Sequence, residues 1–174
     1  KEFRMEFLNT DENQNKECNY WIFQGNPKVY DFEKALQNNV LTDFTISRYK
    51  EKIKIGDKVI LWLSGKNKGC FGLAEITSEP QKQYDNAGSE FWSNEVNKKK
   101  KGLKAGIKVT HNLYENRISK EVLESYDTFN ECQIFKYAQG SNFESKETEY
   151  NTILNIIENK NTKRYWMYSP GEDA

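Results

Sequence analysis

Lys58-Val59-Ile60-Leu61-Trp62-Leu63 and Cys70-Phe71-Gly72-Leu73-Ala74-Glu75-Ile76 stand on either side of Ser64-Gly65-Lys66-Asn67-Lys68-Gly69. Two runs of aliphatic, β-branched and aromatic residues around a glycine-bounded polar turn form the pattern of a β-hairpin. Upstream, Tyr20-Trp21-Ile22-Phe23, closed by Gly25-Asn26-Pro27, reads as a buried strand ended by turn residues. Residues 31–38 read as a short helix capped by Asp31, with Phe32, Ala35 and Leu36 on one face, and residues 45–52 as another. Downstream, Ile107, Val109 and His111 alternate with Lys108, Thr110 and Asn112, which predicts a strand over 106–113 with one solvated face. Residues 119–126 and 145–158 read as helices. In the second, Tyr150, Ile153, Leu154 and Ile157 recur at helical spacing behind Glu147 and Glu149, acids suited to the positive first turn. The sum is an α+β chain of five to six strands and three or four short helices, built on a strongly curved sheet or small barrel. Residues 1–17 lack an apolar period and read as a polar tail, 18–160 as one domain, and 161–174 as a tail or a linker to a further domain.

At 174 residues the chain can bury a core without disulfide staples. Cys18, Cys70 and Cys132 are odd in number and far apart, which excludes a disulfide framework and a CxxC metal knuckle and fits a reducing compartment. No apolar run approaches the ~18 residues of a membrane span, and no basic-then-apolar leader opens the chain. The expectation is a cytoplasmic protein without a membrane partner. Lys1, rather than Met, at the start fits a fragment of a larger polypeptide.

The residue inventory argues against an enzyme. His111 is the single histidine and sits in mid-strand, so the usual zinc sites, Cys-His pairs and Ser-His-Asp arrangements fail by count. Asp31 and Asp57 are explained by capping and turn roles, and residues 102–106 lack the pattern of a phosphate loop. No catalytic residue, metal or cofactor is expected.

Aromatics and bases point elsewhere. The 26 basic and 26 acidic side chains cancel, yet Arg48, Lys50, Lys52, Lys54, Lys58, Lys66 and Lys68 face only Glu51 and Asp57 over 48–68, and Lys98-Lys99-Lys100-Lys101 adds a second cluster. Phosphate contacts depend on such local patches rather than on net charge. Phe44, Phe91-Trp92 and Tyr137 stand where loops begin, and rings at loop mouths beside lysines are how single bases are stacked. Trp21 and Trp62 read first as core and second as pocket walls.

The stretches Tyr20-Trp21-Ile22-Phe23-Gln24-Gly25-Asn26-Pro27, Phe44-Thr45-Ile46-Ser47-Arg48-Tyr49, Ile53-Lys54-Ile55-Gly56-Asp57-Lys58-Val59, Trp62-Leu63-Ser64-Gly65 and residues 72–80, taken in order, resemble an EVE domain. Gln139-Gly140-Ser141-Asn142-Phe143 is similar to the family's late glycine-containing segment. The resemblance implies a PUA-like small curved β-barrel, related to YTH domains, that reads a modified, flipped base. It implies a base-binding pocket drawn from Trp21, Gln24, Gly25, Asn26, Phe44, Thr45, Ile46, Trp62, Ser64 and Trp92. In that pocket Phe44 takes the place of the family's usual Trp floor, Thr45-Ile46 contact the base edge, and Trp92 forms the second wall. Arg48, Lys50, Lys66, Lys68, Lys98, Lys99, Lys100, Gln139 and Ser141 are the candidates for the nucleic-acid backbone. The branch most alike is the one fused to McrB-like AAA+ GTPases of modification-dependent restriction systems, whose GTPase oligomerises and recruits a nuclease.

The resulting expectation is a non-catalytic domain that binds 5-methylcytosine, 5-hydroxymethylcytosine or N6-methyladenine in duplex DNA. The alternatives are a modified-RNA reader of YTH type, an enzyme using Asp43 or Asp31 on a flipped base, and a protein-interaction scaffold.

Overall fold

The hairpin forms as its sequence dictates: β3 (Lys58–Leu63) and β4 (Gly69–Gln83) pair antiparallel around a turn in which Gly65 adopts φ +93°, a left-handed conformation natural to glycine. The computed structural model describes residues 17–83, 88–94 and 102–168, with the backbone alone at 83 and 162–168. The expected polar tail up to residue 16, the lysines Lys98, Lys99, Lys100 and Lys101, and residues 169–174 lie outside the described residues.

Around the hairpin the sheet adds β1 (Tyr20–Gly25), β2 (Asp43–Thr45), β5 (Gly102–Asn112), β6 (Ile118–Ser119) and β7 (Asn142–Ser145). The strand order is β2-β5-β4-β3-β1-β7, with β6 paired to the start of β4. Every pairing is antiparallel except β1 with β3, where Trp21 opposes Val59 and Phe23 opposes Leu61. The helices are α1 (Phe32–Gln37), α2 (Lys120–Glu124), α3 (Gln133–Lys136) and α4 (Glu147–Tyr168). The result is the expected α+β architecture of a curved sheet with short flanking helices.

Both faces of the central strands are buried, in two separate clusters. Trp21, Phe23, Val59, Leu61 and Leu63 face the cluster that α1 covers through Phe32, Ala35 and Leu36. Ile22, Ile60 and Trp62 face the opposite cluster, filled by Leu123, Phe129, Ile134 and, from α4, Tyr150, Ile153 and Ile156. A bulge keeps this partition. Leu61 pairs with Gly72 but Trp62 with Cys70, so Phe71 is the extra residue, and the alternation of β4 reverses there. Phe71 therefore joins the α1-side cluster while its neighbours Cys70 and Leu73 join the other.

Several expectations need correction. Residues 45–52 do not form a helix. β2 ends at Thr45, and Tyr49 adopts φ +61°, a left-handed conformation that no α-helix continues through. The last helix runs on to Tyr168, past the expected end at 158 and across the expected tail boundary. The strands number seven among the described residues rather than five or six, because the three-residue β2 and two-residue β6 are too short to show a period. Asp31 caps α1 as expected, its carboxylate accepting from the Lys34 amide at 3.1 Å.

The parallel pair is anchored at its base by Asp57, which is buried beside β3. Its carboxylate accepts from the indole Nε1 of Trp21 at 2.8 Å, the Asn19 amide at 3.1 Å and the Lys54 amide at 2.9 Å. Substituting Asp57→Ala strands three donors in or near the core and is expected to cost about 3 kcal/mol. A urea titration followed by Trp fluorescence measures it.

Candidate nucleic-acid interface

The end of β1, the whole of β2 and the segment leading into β7 converge on one cavity of about 510 Å³. That volume lies within the range of small-molecule sites. Its walls are mixed: Phe32, Phe44, Tyr30, Trp92, Val40 and Leu41 supply apolar surface, while Gln24, Asn26, Asp43, Thr45, Ser64 and Lys104 supply polar groups.

The floor is aromatic. Phe44 packs against Phe23 with centroids 5.3 Å apart and stacks on Phe32 at 6.1 Å and 19°. Phe32 reaches that position only because residue 25 is glycine; a Cβ there would lie 2.2 Å from the Phe32 ring. Trp92 follows a single 3-10 turn (Ser89–Phe91), forms an isolated bridge with Tyr30, and meets the Tyr30 ring edge-on at 4.9 Å. The Lys104 ammonium lies over the Trp92 ring, 5.3 Å from its centroid, and pairs with Asp43 at 3.3 Å.

Two amide side chains hold the parts in place. Gln24 Nε2 donates to the Ala138 and Gly140 carbonyls at 3.0 and 2.8 Å, and the Gln24 amide donates to Ser141 O at 2.8 Å. Asn142 is wholly buried; its Oδ1 accepts from the Ser47 amide at 2.7 Å and the Arg48 amide at 3.3 Å, and its Nδ2 donates to Thr45 O at 3.1 Å. The loop before β7 is thereby fixed to β1, and the chain after β2 is fixed to β7.

The candidate base-contacting residues divide cleanly. Gln24, Gly25, Asn26, Phe44, Thr45, Ser64 and Trp92 line the cavity. Trp21, Ile46 and Trp62 do not. Trp21 is committed to Asp57 and to Tyr49, whose ring lies 5.3 Å away; Ile46 is core; and strand parity turns Trp62 to the opposite face of the sheet, 5.8 Å from Phe135. Among the backbone candidates, Ser141 lines the cavity, Gln139 is exposed between two lining residues, and Lys66 and Lys68 are exposed on the hairpin turn after the lining residue Ser64, whereas Arg48 and Lys50 are exposed on the chain after β2, which runs towards the Asn19 end of β1 and away from the cavity. Tyr137 is 71% exposed just before the lining residue Ala138. Asp31 does not line the cavity.

Tyr30 and Lys104 escaped sequence reasoning. Lys104 follows closely on four lysines and reads as more solvated surface, although its register opposite Thr45 fixes which face it takes. His111 is half-buried on β5, with Nδ1 3.0 Å from Thr110 Oγ1, away from the cavity. Burial pushes the Cys70 thiol up to about 12 and raises Cys132 further, so both are inert packing residues. Among the described residues no cluster of His, Cys, Asp and Glu could hold a metal ion, and no helix is long and apolar enough to cross a membrane.

Comparisons with known proteins fit this geometry. The EVE domain family model matches residues 19–156. No curated protein matches. Among solved structures, a hypothetical protein from Leishmania major superposes with a TM-score of 0.63 at 19% identity, covering 84% of this chain and 98% of its own. Human THYN1, solved in complex with 5-methylcytosine-containing DNA, superposes with a TM-score of 0.59 at 16% identity, covering 80% of this chain and 97% of its own. A mutant of the ZmASCH protein from Zymomonas mobilis gives 0.53 at 13% identity, covering 79% and 98%. At these identities the likeness is one of fold.

Replacing Asn142 by Leu keeps the volume but leaves the Ser47 and Arg48 amides and the Thr45 carbonyl without their partner. The expected loss is about 2–4 kcal/mol, with faster hydrogen exchange at the Ser47 and Arg48 amides.

Proposed function

The chain belongs to the EVE domain family, and from that premise we propose that it is a non-catalytic DNA-recognition domain that takes a modified base, extruded from the duplex, into the cavity between Phe44 and Trp92. One observation carries the reading. Gln24, Gly25, Asn26, Phe44, Thr45, Ser64, Trp92 and Ser141, spread over most of the chain, meet around one aromatic-floored cavity, with the exposed Lys66 and Lys68 on the hairpin turn that follows Ser64. The THYN1 complex with 5-methylcytosine-containing DNA supports the same ligand class in a protein of the same fold.

The energetics are feasible. Extruding a base costs a few kcal/mol, which one or two stacks of about 1–3 kcal/mol each offset. A buried methyl adds only about 0.8 kcal/mol, so strong preference for a modified base depends on polar groups that go unpaired with the wrong one. Lys66 and Lys68, with Lys98, Lys99 and Lys100, hold flanking phosphates without choosing sequence. The resemblance to McrB-fused domains makes the specificity module of a restriction GTPase, which oligomerises and recruits a nuclease, the setting of this proposal. An AAA+ coding region following Ala174 is what that setting requires.

Duplexes carrying 5-methylcytosine, 5-hydroxymethylcytosine or N6-methyladenine at one position, titrated against the unmodified duplex, test the reading; equal affinity for all four overturns it. Phe44→Leu, which keeps an apolar floor but removes the ring, is expected to lose the preference. Lys66→Gln with Lys68→Gln is expected to weaken every duplex alike and to flatten the salt dependence by about 0.9 per lost phosphate contact. A single-stranded modified RNA that displaces the duplex would move the assignment to RNA.

A further inference from the structure

The ion pair in the cavity wall is nearly buried, a costly place for two charges. The Asp43 and Lys104 side chains are only 17% and 6% exposed, yet both line the cavity, 3.3 Å apart. Taking two charges out of water costs several kcal/mol per ion, and an apolar replacement of such a pair is often equally stable. The cavity already has an apolar lining into which such a replacement would fit.

Register shows what the pair presents. Thr45 opposes Lys104 and Asp43 opposes Gly106, so Asp43, Thr45 and Lys104 project from the same face of β2 and β5. The Lys104 ammonium is held over the Trp92 ring, at the wall against which a base would lie. An acceptor-only carboxylate and a donor-only ammonium thus stand side by side in the site.

Side by side, the two groups complement a base edge on which an amine adjoins an unprotonated ring nitrogen. Resting on the base-binding reading above, we propose that Asp43 and Lys104 read the Watson–Crick edge and restrict the cavity to cytosine- and adenine-type bases, whose amine stands beside an unprotonated ring nitrogen. Asp43 accepts from the exocyclic amine, N4 of a cytosine or N6 of an adenine, and Lys104 donates to the adjacent ring nitrogen. N6-methyladenine qualifies because it keeps one N6–H. In that same pose thymine, uracil and guanine place a carbonyl where the amine would be and an N–H where the bare ring nitrogen would be, which sets an oxygen against the carboxylate and a donor against the ammonium.

The decisive comparison is 5-methylcytosine against thymine, which share the C5 methyl and differ at the edge. Duplexes identical except for 5-methylcytosine, thymine or an abasic site opposite one guanine are titrated with the intact chain. The expected result is binding of 5-methylcytosine at least about tenfold tighter than thymine, the discrimination of one good bidentate contact, although the G·T pair is the easier to open. In Asp43→Leu with Lys104→Met, which removes both charges together with their hydrogen-bonding groups, the two affinities should converge. Equal binding of thymine and 5-methylcytosine by the unaltered chain, both above the abasic duplex, overturns the edge-reading pair and leaves the base-binding site standing. A double variant that keeps the preference overturns it as well. An abasic duplex bound as tightly as 5-methylcytosine overturns the base-binding reading itself. The unaltered chain decides the question even where the double variant does not fold.

Discussion

The outer strands of the sheet, β2 and β7, are not paired with each other, and the link between them is made by the side chain of Asn142. One amide donates to the last carbonyl of β2 and accepts from the amides of the two residues at 47 and 48, so a six-strand path closes on itself through a side chain rather than a ladder. A buried amide that bonds three backbone groups in this way fixes geometry, because any displacement leaves polar groups unpaired. The cavity lies along this seam, with Asp43, Phe44 and Thr45 on one side and Gly140 and Ser141 on the other. Closing the seam with a side chain leaves space between the strands that a continuous ladder would fill, and that space is the candidate binding site.

The rest of the fold supports the seam from behind. The two clusters on the faces of β1 and β3 make these strands the rigid centre, and Asp57 sets their parallel register at the base. On the cavity side, packing passes through rings in sequence: Phe71 against Phe32, Phe32 against Phe44, and Phe44 against Phe23. The aromatic richness of the chain thus has two uses. Most rings fill the clusters, while Phe44, Tyr30 and Trp92 form a surface that faces a void.

How much of this could be read from the residues depends on the range of the interactions. The hairpin, the strand at Trp21 and the helix capped by Asp31 are decided locally, by periodicity and turn chemistry, and all are found where the sequence places them. β2 was beyond such reading, because its three residues become a strand only through β5, far along the chain. Trp62, between Leu61 and Leu63, reads first as core and Trp92, in a polar stretch, does not, but only parity in the folded sheet shows that Trp62 turns away from the cavity while Trp92 lines it. Gln24 and Asn26 were legible as site residues by resemblance, but not the use of Gln24 as a tether for the 138–140 backbone. Lys104 was illegible for the opposite reason, since its burial is decided by Asp43 and by Trp92, neither a neighbour in sequence.

The pairing of Ile22 with Phe143 has a consequence for how the molecule comes into being. β1 and its parallel partner β3 leave the ribosome well before β7, so the central strands and the hairpin can assemble while the chain is still growing. Neither Asn142 nor the loop that Gln24 holds exists until most of the domain has been synthesised. Until then β1 offers an unpaired edge and the future cavity has no far wall, so nascent chains carry an open, adhesive strand. The cavity is completed in one late step, when β7 docks.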